Sequence, residues 1–97
     1  MAETVLMRAE GQQDVLELLV NKVRIKSQNH EFEIFLDRIS AILFVHASGI
    51  LPGSLEFFFS GAGLLEHKFN HIIFTREQQP QFERIRTGIE NLIFQSE

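Results

Sequence analysis

A chain of 97 residues is the size of one domain and too short for two. Its formal net charge of −4 argues against broad electrostatic attraction to nucleic acid or to an anionic membrane. The absence of cysteine excludes disulfide frameworks, thiol redox chemistry and cysteine-based zinc sites, and all ten aromatic residues are phenylalanine, hydrophobes without a polar handle.

The start, Met1-Ala2-Glu3-Thr4, carries an early acidic residue and no sustained apolar stretch, so no signal peptide is expected. No apolar run approaches the ~20 residues needed to span a bilayer. These features lead us to expect a soluble, cytoplasmic protein. Short apolar runs are then punctuated by turn-formers at the rhythm of a β meander. Residues 3–10 fit either a strand or a short N-terminal helix. Two alternating runs meet at Asn21-Lys22, where Asn tolerates the positive φ of a type I′ turn. Closing a hairpin there sets Leu18 opposite Ile25, Val20 opposite Val23 and Glu17 opposite Lys26.

The next loop, Ser27-Gln28-Asn29-His30, gives a sharper expectation. Its hairpin sets Lys26 opposite Glu31 and Arg24 opposite Glu33 on one face. The other face then holds Ile25 opposite Phe32 and Val23 opposite Ile34, as a half-buried sheet requires. A one-residue slip would destroy both patterns. Beyond a turn at Asp37-Arg38, residues 39–47 and 54–60 read as strands rich in β-branched and aromatic residues, separated by the turn Ser48–Gly53. Gly61-Ala62-Gly63 marks another turn and residues 69–75 another strand.

The period then changes. Phe82, Ile85, Ile89, Leu92 and Ile93 recur at spacings of three and four, the stripe of an amphipathic helix. Thr75-Arg76-Glu77-Gln78 offers a capping box before it. Pro80 either sits in the first turn of a helix starting near residues 77–79 or makes that turn irregular.

Six or seven strands in a meander and one terminal helix that plugs the sheet is the plan of pleckstrin-homology-like (PH-like) domains. Several segments resemble the short bacterial members of that group. Gly11 followed by Val15-Leu16-Glu17-Leu18 and Lys22-Val23-Arg24-Ile25 looks like their opening hairpin. The stem Leu36-Asp37-Arg38-Ile39-Ser40-Ala41-Ile42, within residues 34–45, is similar to their I-x-L-x-x-I-x-x-V segment. Gly49-Ile50-Leu51-Pro52-Gly53-Ser54-Leu55-Glu56-Phe57 resembles their G-x-x-x-G-x-I-x-F strand entry. Phe74-Thr75-Arg76-Glu77-Gln78 with Phe82, Ile85 and Ile89-Glu90 looks like their strand-to-helix junction. The match covers roughly residues 9–94. It implies a partly open antiparallel barrel of six or seven strands capped by one C-terminal helix. It also implies a binding or assembly domain of otherwise unknown function.

Chemistry-bearing residues are sparse. No Ser-His-Asp order, Gly-rich phosphate loop or paired-carboxylate motif is present, and Glu66 beside His67 or Asp37 beside Arg38 makes no catalytic set, so neither an enzyme nor a cofactor is expected. His67 and His71 have a metal-ligand spacing only on a helix; in an extended segment their Cα atoms stand ~13 Å apart. His30 and His46 lie in other elements, so no metal site is expected. Lys22, Arg24 and Lys26 resemble the basic strand of lipid-binding PH domains, a peripheral membrane reading. The hairpin register, however, sets Arg24 and Lys26 against glutamates. The sharper signal is apolar. Strand alternation turns Leu19, Phe35, Phe44, Phe58 and Ile73 away from the face their neighbours bury, and soluble monomers rarely leave a large apolar patch bare. These five are the candidate interface. The expected partner is a second copy of the chain, closed homo-oligomers being common, or another protein.

Overall fold

Alternation of charged and apolar side chains builds the first four strands: β1 (Met7–Glu10), β2 (Val15–Leu18), β3 (Lys22–Lys26) and β4 (Glu31–Phe35). A 3-10 turn, Leu36–Arg38, leads into β5 (Ile39–Val45), β6 (Gly53–Phe59) and β7 (His71–Phe74), and the helix α1 (Gln79–Gln95) ends the fold. The computed structural model describes residues 4–59 and 69–95. The turn at Gly61–Gly63 and the Glu66-His67 pair lie outside the described residues. The strands form two antiparallel sheets, β1-β2-β3-β4 and β5-β6-β7, each ordered as in the chain. The fold is therefore mainly β, four strands and three, with one C-terminal helix. Among the described residues no ladder closes the two sheets into a barrel. They are tied instead by the Gln12 N–H, which donates to the Ile73 carbonyl at 2.8 Å.

The β3–β4 hairpin has the expected register at every position: Val23 pairs with Ile34, Arg24 with Glu33, Ile25 with Phe32 and Lys26 with Glu31. The β2–β3 hairpin differs by two residues. Leu16, not Leu18, faces Ile25, Glu17 faces Arg24 rather than Lys26, and Leu18 faces Val23. A two-residue shift keeps every side chain on its face, so Leu18, Val23 and Ile25 remain core. The cause is the turn. No described non-glycine residue has a positive φ, so Asn21 makes no type I′ turn. Instead the Leu19 N–H reaches the Lys22 carbonyl at 2.9 Å around a wider loop. Alternation stops there. Leu19, expected to point outward, is only 2% exposed, and Val20, expected inside, is 71% exposed.

The choice between strand and helix for residues 3–10 resolves as β1, paired with β2. The capping box forms in both directions: the Gln78 N–H donates to Thr75 Oγ1 at 3.2 Å, and the Thr75 N–H donates to Gln78 Oε1 at 2.9 Å. The helix then starts at Gln79, which leaves Pro80 in the first turn, where no ladder bond is lost. Phe82, Ile85 and Ile89 are fully buried and join both sheets in one core with Leu16, Leu18, Leu55, Phe57 and Phe74. Phe74 and Phe82 stack with centroids 4.6 Å apart and planes 18° apart. On β6, Gly53 admits a close approach from both sides, by β5 and by β7. A Cβ there would stand 2.6 Å from the Val45 carbonyl oxygen and against the Phe74 ring.

Phe82→Ala should therefore cost about 3–5 kcal/mol, the range for truncating a buried Phe. Gly53→Ala should also destabilise, by about 1–3 kcal/mol, because the added carbon meets backbone. Urea unfolding checks both as a lower midpoint at unchanged slope. An unshifted midpoint for Phe82→Ala would remove the helix from the core.

Candidate functional site

The outer faces of the two sheets carry opposite chemistry. On the four-stranded sheet the outward positions of β1 to β4 are charged, and the register sets acids against bases. Glu17, only 7% exposed, lies 3.3 Å from Arg24 Nη1 and 3.9 Å from Arg8 Nε. Glu33 accepts from Arg24 Nε at 2.8 Å and from Lys22 Nζ at 3.2 Å. Lys26 stands 3.9 Å from Glu31. Hydrogen bonding from Arg24, with a smaller contribution from Lys22, holds the Glu33 carboxyl below the usual glutamate range against the opposing effect of desolvation. The three residues of the possible anion site, Lys22, Arg24 and Lys26, thus each face a carboxylate within the sheet. Such pairs contribute about 0–1 kcal/mol each where exposed. Two apolar residues interrupt this face: the half-buried Val15, opposite Glu10 and Lys26, and Phe35, 47% exposed, with Lys22 Nζ 6.0 Å from its ring centroid.

The three-stranded sheet turns a different surface outward. Pairing sets Ala41 opposite Phe58, Leu43 opposite Glu56 and Val45 opposite Ser54. Across the next ladder Ser54 faces Ile73 and Glu56 faces His71. Leu43, Val45, Phe58 and Ile73 are 47%, 43%, 36% and 39% exposed. They surround the half-buried Ser54 and Glu56 on β6, so the apolar side chains lie on adjacent strands rather than scattered. Both outer strands of this sheet touch other elements. Along β5 run side chains of α1: Gln79 Nε2 lies 3.0 Å from His46 Nδ1, the Arg86 guanidinium lies 4.8 Å from the Phe44 centroid, and Ile93 lines one groove with Ile39 and Ile42. Along β7 the Gln12 N–H is bonded to Ile73.

Of the five candidate positions, only Phe58 and Ile73 share this face. Phe35 belongs to the other sheet, and Leu19 is buried. Phe44 was expected to face outward and turns in. It pairs with the buried Leu55, packs 5.4 Å from Phe74 and lies under Arg86. Leu43 and Val45 take the outer positions instead. The signal that finds them is the β5–β6 register: once Leu55 and Phe57 are inside, their partners Phe44 and Ile42 must be inside too. A shift of register between Ile39 and Ala41 hides that signal, because it breaks the alternation at the start of β5.

No convergent polar site competes with this surface among the described residues. Those residues contain no group of three side chains able to hold a metal. His30 meets the edge of Phe69 at 4.4 Å, His46 contacts Gln79, and His71 faces Glu56. A shallow hollow of about 640 Å³ lies among loop residues Gln13, Asp14, Ser27 and His30, with no lysine or arginine in its described lining. No described helix is long and apolar enough to cross a membrane. No protein-family model, curated protein or solved structure matches the chain.

The Glu33 contacts carry a pH dependence. Its folded pKa is depressed, so its contribution is present above the ordinary glutamate pKa and lost as pH falls through the folded value. Between about pH 5 and about pH 3, stability should fall less steeply in Glu33→Gln than in the parent chain. Urea midpoints across that window measure it, and parallel profiles would show that the pairing does not persist in solution.

Proposed function

We propose that this chain is a non-enzymatic, PH-like interaction domain that assembles with a second copy of itself through the outer face of its three-stranded sheet. Three features support the fold part of that reading: four strands and three in meander order, one C-terminal helix plugged between the sheets, and the strand-to-helix junction at Phe74–Gln78. The observation that carries the functional part is the contrast between the sheet faces. One face neutralises its charges internally; the other presents Leu43, Val45, Phe58 and Ile73 to water.

A sheet edge can recruit a strand, but the exposed apolar side chains Leu43, Val45, Phe58 and Ile73 project from the face, which is therefore the contact surface of this reading. Two such faces pack about 10 Å apart with side chains interdigitated, leaving an apolar centre and a polar rim. Glu56 and His71, neighbours on this face, supply polar groups that an isologous contact presents to each other's copies. The anion-binding alternative gains no comparable support, since Lys22, Arg24 and Lys26 all face glutamates.

Burying one Phe at a contact contributes about 1.5–3 kcal/mol, so Phe58→Glu should weaken self-association by roughly ten- to a hundredfold or more. The thermal midpoint should barely move, as Phe58 is partly exposed. Leu43→Glu should act in the same way, whereas Phe35→Glu on the other sheet should leave association intact. Light scattering behind size exclusion, with a thermal melt of each variant, checks the set. Equal loss from Phe35→Glu, or none from Phe58→Glu and Leu43→Glu, would refute the assignment.

A further inference from the structure

β5 leaves a strand edge open. Among the described residues it pairs with β6 on one side, and no strand lies on the other. The remaining sheet edges are guarded. β1 is four residues long and carries Arg8 and Glu10, β4 carries Glu31 and Glu33, and the short β7 accepts the Gln12 N–H at Ile73. Charge, brevity and an occupied backbone are the usual protections of an edge. β5 runs for seven residues, Ile39–Val45, without a charge or a proline. Its one irregularity adds to the opening. Ser40 falls between Ile39, opposite Phe59, and Ala41, opposite Phe58, and has no partner of its own on β6.

Between this edge and the end of α1 runs a groove of about 330 Å³. One wall is four consecutive residues, Ile39, Ser40, Ala41 and Ile42; the other is Glu90, Ile93 and Phe94 of the helix. Ala41 belongs to the outer face of the sheet and Ile42 to the inner one. A hollow that both border therefore lies along the backbone edge rather than on either face. That placement specifies the occupant. Unpaired N–H and C=O groups at strand spacing take another extended backbone, about 4.8 Å away. An entering strand would have β5 on one side and the apolar side chains of Ile93 and Phe94 on the other. With the helix there it has no room for sheet neighbours of its own, which fits a peptide segment rather than the edge of a folded sheet. Its side chains alternate, so every second one meets Ile93 and the exposed Phe94 and is apolar or β-branched. Glu90, the one charged residue of the lining, disfavours acidic side chains.

We propose that this groove binds an extended, apolar and non-acidic peptide segment of another protein, which adds to β5 as a fourth strand of the second sheet. The contact is separate from the sheet face and stands whether or not the chain self-associates.

The probe is a capped peptide as long as β5, valine and threonine alternating between two terminal lysines, titrated into the native, isotope-labelled chain. Saturable shifts are expected in the amide signals of Ile39, Ser40, Ala41 and Ile42 and of Ile93 and Phe94. Two N-methylated versions of the probe test the backbone. Methylation along the edge that meets β5 should abolish the shifts, whereas methylation along the opposite edge should leave them. Phe94→Asp, at a position 67% exposed, should fold and should weaken probe binding by about tenfold or more. The shifts should survive in Phe58→Glu, which separates this groove from the sheet-face contact. No shift at the β5 residues with millimolar probe, or equal binding by the two N-methylated peptides, would overturn the proposal. So would β5 amides that are already protected from exchange in a concentration-dependent way without probe, because a second copy would then be the occupant.

Discussion

The apolar stripe of α1 and the inner faces of two small sheets share one problem, since each has a surface that water disfavours and none can cover it alone. Stacking Phe82 on Phe74 and seating Ile85 and Ile89 beside it solves the problem for all three elements at once. Three glutamines near the helix entrance make the docking directional. Gln78 Nε2 donates to the Gly11 carbonyl, Gln79 Oε1 accepts from the Ala47 N–H, and Gln81 Oε1 accepts from the Glu10 N–H. Backbone at the end of each sheet is thereby tied to one short segment. The helix is fixed against both sheets in this way, with Arg86 over the inward Phe44 of β5.

The outer faces follow from that arrangement. A strand gives every second residue to the core, and the remaining residues are free to serve solubility or contact. On β1 to β4 they form an interleaved charge ladder in which Glu17 and Glu33 each serve two cations. On β5 to β7 they are mainly aliphatic and aromatic, with Glu56 and His71 interposed. The exposed apolar side chains of the second sheet, Leu43, Val45, Phe58 and Ile73, gather on its outer face. Assembly is thus the reading most consistent with where the chain places its apolar residues and where it withholds charge.

Much of the fold is legible in the residues. The β3–β4 register can be read from charge pairing because Arg24, Lys26, Glu31 and Glu33 admit one solution that also gathers the hydrophobes. The capping box and the helix stripe are local patterns, and they form as written. Legibility fails where geometry departs from strict alternation. The wider loop at Leu19–Lys22 shifts the β2–β3 pairing and exchanges the environments of Leu19 and Val20. In β5, apolar residues occupy both faces, so composition alone cannot choose between Phe44 and Leu43; the pairing with Leu55 decides. Half of the exposed apolar face is therefore legible in the sequence, through Phe58 and Ile73, and half, Leu43 and Val45, requires the sheet register.

Methyl NMR of the unmodified chain over a dilution series tests the central claim most directly, because it reports where contact occurs as well as whether it does. The account predicts that methyl signals of Leu43, Val45 and Ile73 shift or broaden with concentration, while those of the buried Ile85 and Ile89 stay fixed. Outer-face methyl signals that do not change, with a diffusion coefficient that stays at the 11.2 kDa monomer value throughout, would contradict it.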